Sequence, residues 1–232
     1  MITVIIPTYN EAGHIGATVR TVQQRDRAGL VRAIVVVDGG STDATMELAR
    51  AAGAEVLRSP RKGRAAQMNY GAAAAREEVL YFLHADTLPP PGFSEAIRDA
   101  VAAGAAAGCF LLSFDHPHWF LRANAWCTRF DVDAFRYGDQ SLFVTRELFM
   151  RAGGFSEAHI VFEDYALIRK LKRLSPFRII KKPVLTSARK YVENGPIRMQ
   201  AIFYLMYFLY RSGTGQARLV RIYRRLIRQE KI

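Results

Sequence analysis

The stretch Ala33-Ile34-Val35-Val36-Val37-Asp38-Gly39-Gly40-Ser41-Thr42-Asp43 decides the fold class. Its apolar run has no polar alternation, which suits a strand covered on both faces, as in a parallel sheet. The run stops at an acid and two glycines, and Ser41-Thr42-Asp43 then offers side-chain acceptors to start a helix. Working outward, the same rhythm recurs. Upstream, residues 2–6 are a β-rich run broken at Pro7-Thr8-Tyr9-Asn10, followed by Ile15, Val19 and Val22 at helical spacing. Downstream, Met46, Leu48 and Ala49 mark a helix, 54–57 a strand, 65–75 a helix, and 79–83 a strand ending at His84-Ala85-Asp86. Strands alternating with helices predict an α/β fold with a mostly parallel central sheet flanked by helices.

From Pro89 onward the pattern loosens. Residues 110–114 and 141–144 read as strands, joined by an aromatic-rich connection over 119–135. A helix is expected over 165–174, just after Glu163-Asp164, and two short strands over 177–180 and 184–188. Ten consecutive apolar residues occupy 201–210, and an arginine-rich amphipathic helix follows from about Ala217. The organisation expected is one body over 1–190 and a basic, aromatic helical extension over 191–232, packed on that body or on a membrane surface.

Composition sets the outer bounds. A chain of 232 residues that is 50% hydrophobic and 23% charged is no disordered tail, collagenous rod or disulfide miniprotein. Two cysteines, Cys109 and Cys127, fit a reducing compartment. No run reaches the roughly 18 apolar residues of a spanning helix. Met1 leads straight into a strand-like run, so no signal peptide is expected. The expected location is cytoplasmic, with peripheral attachment to the inner face of the membrane as a variant. The net charge of +12 is unevenly placed: residues 1–168 carry −3, whereas 169–232 carry +15 with only Glu193 and Glu230 acidic. Such a block faces phosphates, nucleic acid or an anionic membrane.

Chemistry-bearing residues gather where strands end, which is the ligand edge of an open α/β sheet. Asp38 follows a buried strand and suits either a base or ribose contact or an Asx turn. Arg61, Lys62 and Arg64 precede a helix N-terminus, a natural diphosphate site. His84 and Asp86, two apart beyond a strand, can turn toward one ligand. Glu163 and Asp164 open a helix, where carboxylates also act as caps. Asp139 and Gln140 lie beside Trp119, Trp126, Phe130, Phe135 and Tyr137, a mixture suited to an acceptor pocket or to a turn with core aromatics. His116 and His118 lack the partners of a zinc site. Tyr204, Tyr207 and Tyr210 in the apolar run, and Arg211, Arg218, Arg221, Arg224, Arg225, Arg228 and Lys231 beyond it, fit either a packed helix or an anionic lipid surface.

Seven segments in order resemble the family 2 glycosyltransferases: Val4-Ile5-Ile6-Pro7-Thr8-Tyr9-Asn10-Glu11, Val36-Val37-Asp38-Gly39-Gly40-Ser41-Thr42-Asp43, Gly63-Arg64-Ala65, Asn69-Tyr70-Gly71-Ala72, Leu83-His84-Ala85-Asp86, Gly153-Gly154-Phe155 and Glu163-Asp164. Gly138-Asp139-Gln140 and the histidine at 84 are similar to a short subgroup associated with radical-SAM and selenocysteine-domain proteins. The resemblance implies a GT-A fold and inverting transfer of a sugar from a nucleotide-diphosphate sugar to an acceptor hydroxyl, lipid-linked or small. It implies that Pro7, Thr8, Tyr9, Glu11, Asp38, Arg64 and Asp86 bind the donor, and that Asp164 is the general base supported by Glu163. Asp86, with His84 as a further ligand or a diphosphate contact, would hold Mg²⁺ or Mn²⁺. Asp139 and Gln140 are the acceptor candidates. A nucleotidyltransferase making the nucleotide-sugar is a rival reading, and a basic membrane- or nucleic-acid-binding module with a vestigial pocket is another. The first usually opens with a glycine- and basic-rich loop, and 7–11 has none. The second is disfavoured because the pocket positions are acidic, so no nucleic acid is expected as partner.

Overall fold

The computed structural model of the chain describes residues 1–136 and 138–228; Tyr137, Glu230 and Lys231, named above, lie outside them. The strands are β1 (Ile2–Thr8), β2 (Val31–Asp38), β3 (Glu55–Arg58), β4 (Val79–Phe82), β5 (Thr87–Leu88), β6 (Ala107–Phe114), β7 (Leu142–Thr145) and β8 (Phe177–Thr186). They form one sheet in the order β3-β2-β1-β4-β7-β6-β8-β5. Strands β3, β2, β1 and β4 pair in parallel, with Thr8 opposite Asp38. Beyond them β7 enters antiparallel to β4 and β6, β8 runs parallel to β6, and β5 closes antiparallel to β8. The parallel reading therefore describes the N-terminal half, and the C-terminal half mixes directions.

Both faces of the sheet are covered, which is why its central strands lack alternation. Val4, Ile6 and Val36 point into one core with Ile15, Val19 and Val22 of helix α1 (Ile15–Arg25). Ile5, Val35 and Val37 point into the opposite core, against helix α3 (Arg64–Ala74). Each such aliphatic side chain contributes roughly 1.5–3 kcal/mol on burial. Helix α2 (Thr45–Ala51) begins later than Ser41-Thr42-Asp43 suggests. Asp43 instead accepts from Thr45 N at 3.1 Å and from Ala12 N at 3.2 Å, tying the two loops together.

Two helices occupy the stretch where the sequence pattern loosens, α4 (Phe93–Ala102) and α5 (Trp119–Cys127). Helix α6 (Arg146–Arg151) follows β7, and α7 (Glu163–Leu174) starts at the acidic pair. The two strands expected near 177–188 are one, β8, whose register against β6 jumps from Phe110↔Ile180 to Leu111↔Pro183. Lys181 and Lys182 form the bulge between, so their polarity breaks the pattern without ending the strand. Helices α8 (Arg189–Asn194), α9 (Pro196–Arg211) and α10 (Gln216–Leu226) pack beside α5 around a third core containing Leu121, Tyr191, Met199, Ile202, Met206, Leu219 and Tyr223.

Candidate active site

The C-terminal ends of β1, β2 and β4 open into a cavity of 540 Å³. One end is polar. Pro7, Thr8, Tyr9 and Glu11 line it from the end of β1, and Lys62, Gly63 and Arg64 from the start of α3. Gln67 holds this end rigid, donating from Nε2 to Thr8 O and Val37 O at 2.7 Å each. Toward the C-terminal helices the lining is mostly apolar, with Phe114, Val161, Phe162, Phe203, Met206 and Tyr223, and with Asn124, Thr128 and Gln200 as polar members. His84, Asp86, Asp139, Asp164, Arg189 and Lys190 lie on the same lining.

Asp164 is the best-defined carboxylate of this cluster. It sits in the first turn of α7, where the helix dipole favours negative charge. The turn into that helix is made by Phe162 at φ 65, a left-handed conformation costly for an aromatic residue, with its ring stacked on Tyr210. Burial and the adjacent Glu163 raise the Asp164 pKa to about 6, against the opposing pull of Arg64 and His84. Gly138 presses on the carboxylate, and a Cβ there would lie 2.1 Å from Asp164 Oδ2 and 3.0 Å from His84 Nε2. Arg64 donates from Nε to Glu163 Oε1 and places Nη2 3.8 Å from Asp164 Oδ2. Glu163 itself is buried and does not reach the lining, where its partner Arg64 lies.

A second cluster involves Asp139, which pairs with His84 across 3.1 Å from Oδ1 to Nδ1. Burial opposes ionisation of Asp139, but the His84 bond, with Lys190 and Arg64, holds its pKa down to about 2. Burial likewise opposes charge on His84, and the bond to Asp139 overrides it and raises its pKa. Lys190 is shifted the other way, downward, chiefly by burial. In a third cluster, Arg189 Nη2 bridges Glu11 Oε1 at 2.7 Å and Asp86 Oδ2 at 3.1 Å.

Three expected site residues are placed differently from the sequence reading. Asp38 is fully buried and absent from the lining; its Oδ2 accepts from Gly40 N at 2.8 Å and Ser41 N at 2.9 Å, and its Oδ1 from Ser41 Oγ. It is the Asx-turn residue that shapes the β2 loop. Gln140 borders the cavity, but its amide is consumed by the loop that carries it. Its Oε1 accepts from Arg136 Nη1 at 3.0 Å and its Nε2 donates to Phe135 O at 2.7 Å. Arg61 turns outward to Glu157, leaving Lys62 and Arg64 as the cations of that loop on the lining.

The sequence model of Glycosyl transferase family 2 matches residues 3–169, a span that runs from within β1 to beyond the acidic pair of α7. The chain belongs to this family. It is 32% identical over 110 residues to the succinoglycan biosynthesis protein ExoA of Rhizobium meliloti (strain 1021), covering 44% of this chain and 33% of the relative. It is 31% identical over 97 residues to the glucosyl-3-phosphoglycerate synthase of Mycolicibacterium smegmatis, covering 38% and 32%. The matched stretches thus span about a third of each relative's length. Among solved structures, the mannosyltransferase PcManGT from Pyrobaculum calidifontis, in complex with GDP-Man and Mn²⁺, superposes with a TM-score of 0.69 at 20% identity, over 90% of this chain and 61% of that one. The Mycobacterium tuberculosis glucosyl-3-phosphoglycerate synthase with Mn²⁺, UDP and glucosyl-3-phosphoglycerate gives 0.66 at 19%, over 92% and 80%. The fold is the GT-A fold of the glycosyltransferases.

This family 2 chain can be tested as a metal binder on its own donor set. Among the described residues no three His, Cys, Asp or Glu side chains converge as a self-sufficient cage. A Mg²⁺ or Mn²⁺ ion that arrives with a diphosphate needs only one or two protein carboxylates, the phosphates and waters completing its shell. Asp86, on the lining, fits that demand. Both expected ligands carry a protein partner here, Asp86 the Arg189 guanidinium at 3.1 Å and His84 the Asp139 carboxylate at 3.1 Å from Nδ1. Sequence reasoning also missed Arg189 and Lys190. They follow β8, far from the acids they face in sequence order, and nothing in the local pattern separates them from the other cations of the basic block.

Proposed function

We propose that the chain transfers a sugar, with inversion, from a nucleotide-diphosphate sugar to an acceptor hydroxyl, Asp164 acting as general base. The observation that carries this reading is Asp164 itself, a carboxylate with a raised pKa on the lining near the junction of polar and apolar ends. The donor occupies the polar end. Tyr9, 44% exposed, offers a ring to the base. Lys62, Arg64 and the free N–H groups at the start of α3 receive the diphosphate. Asp86 is the residue that would hold Mg²⁺ or Mn²⁺, whose charge offsets that developing on the departing diphosphate.

Asp164 takes the hydroxyl proton as the acceptor oxygen bonds to the anomeric carbon, and the bond to the nucleoside diphosphate breaks on the opposite face. Glu163 holds Arg64, and Arg64 and His84 keep Asp164 ionisable. Asp139, paired to His84 and close to Lys190, suits orientation of acceptor hydroxyls. The apolar end favours a lipid-linked acceptor over a small, fully polar one.

A thermal-shift panel of UDP-, GDP- and dTDP-sugars with and without Mn²⁺ tests the donor half, since a bound ligand raises the melting temperature by mass action. Asp164→Asn is expected to keep that shift and lose transfer by at least about 100-fold. Asp86→Ala is expected to lose the Mn²⁺-dependent part of the shift. Transfer that survives in both variants at saturating metal rejects the mechanism.

A further inference from the structure

Helix α9 is apolar on two sides, and only one of them is covered. Its inner face buries Met199, Ile202 and Met206 in the third core, and Phe203 and Met206 reach the cavity. Ile197, Ala201, Tyr204, Leu205 and Phe208 recur at three-, four- and seven-residue spacing and so share the outer face. That face is open: Ile197 is 60% exposed, Tyr204 45%, Leu205 44% and Phe208 68%. An amphipathic surface helix would place polar residues there.

The charge of α9 and of the helix packed beside it indicates what covers this face. Between Asn194 and Gln229 the sequence has seven arginines and no acidic residue. Arg198 and Arg211 stand at the two ends of α9. Arg218, Arg221, Arg224 and Arg225 project from the exposed side of α10, whose other side buries Leu219, Val220 and Tyr223. Arg228 follows just beyond, also exposed. A second copy docked about a two-fold axis would set this arginine-rich surface against itself, which costs free energy. Nucleic acid would satisfy the arginines but leave aliphatic side chains without a counterpart. Lipid satisfies both, because acyl chains take Ile197, Leu205 and Phe208, headgroup depth suits Tyr204, and anionic phosphates meet the arginines. Helix α9 is too short to cross a bilayer, and no helix among the described residues is long and apolar enough to do so.

We propose that the outer face of α9 and the arginines of α10 form a docking surface for an anionic lipid bilayer. The proposal goes beyond sugar transfer and does not depend on it.

Flotation of the full chain with vesicles of phosphatidylcholine, alone or mixed with phosphatidylglycerol, tests it. Binding to the mixed vesicles and not to the neutral ones, weakening as salt is raised, is expected. Leu205→Ser/Phe208→Ser is expected to lower partitioning at least about tenfold without changing the melting temperature, because both side chains are exposed. Arg221→Gln and Arg225→Gln should each lower it about fivefold on the mixed vesicles. Absence of binding to anionic vesicles overturns the proposal, as does wild-type partitioning of Leu205→Ser/Phe208→Ser. A concentration-dependent dimer abolished by Phe208→Ser, with no vesicle binding, would identify a second copy as the occupant. Retention on duplex DNA unaffected by Leu205→Ser/Phe208→Ser, again without vesicle binding, would identify nucleic acid.

Discussion

Asp164 is held in an environment that favours its protonated form, and the proposed transfer needs it ionised. Burial and Glu163 raise its pKa to about 6, so transfer should fall as pH drops through about 6, not near the ordinary carboxylate value of about 4. Stability follows with the opposite sign. A folded-state pKa above the unfolded one means that the folded protein binds the proton more tightly. The resulting stabilisation is full below about pH 4, is lost as pH rises through about 6, and is absent above. Asp164→Asn removes this titration. It should melt higher than wild type at neutral pH, by a gain on the order of 2 kcal/mol, and differ little near pH 4, while transfer is lost. Thermal unfolding at the two pH values checks it, and an equal difference at both would mean that Asp164 titrates normally. The position of Asp164 in the acidic pair was legible in sequence. Its raised pKa was not, because that arises from burial of Asp164 beside Glu163, outweighing Arg64 and His84, in surroundings made only by the folded chain.

At the scale of elements, helix α3 sets how closely the loop of Lys62, Gly63 and Arg64 approaches the sheet. Gly71 lies where a Cβ would come within 2.6 Å of Ile5 Cγ2 and 2.9 Å of Val37 Cγ2. Alanine is the better helix former by about 1 kcal/mol, yet the overlap with two fixed aliphatic chains costs about 1–3 kcal/mol and wins if the helix cannot retreat. Gly71→Ala is therefore expected to lower stability in urea unfolding and to raise donor KM, since a retreating α3 carries Lys62, Gly63 and Arg64 with it. An unchanged unfolding midpoint would show that the helix has slack. Elements buried on both faces were the easiest to read from sequence, because β1, β2 and β4 are uninterrupted apolar runs between breakers. Helix α4 carries the same kind of signal, Phe93, Ile97 and Ala100, but follows three prolines that mask its start. Helix α5 leaves Trp119 67% and Trp126 51% exposed, so its aromatic content does not report a buried face.

The whole molecule divides its labour by layer. The parallel half of the sheet, near neutral in charge, carries the polar end of the cavity, and the basic C-terminal helices supply much of its apolar end. The sequence discloses the first half through compact motifs at strand ends. It conceals the second, because Phe203, Met206 and Tyr223 read as ordinary core residues until α9 and α10 fold back over the site. This division makes a crossed prediction. Met206→Ala or Phe203→Ala thins the apolar wall and should raise acceptor KM about tenfold, which is about 1.4 kcal/mol of lost contact, with donor KM unchanged. Arg64→Ala should raise donor KM and also depress kcat, because the buried Glu163 loses its half-exposed partner and Asp164 a neighbouring cation. Steady-state kinetics with each substrate varied in turn reads both effects. If Met206→Ala and Arg64→Ala changed the same KM, donor and acceptor would share one end of the cavity, and the assignment of its two ends would have to be abandoned.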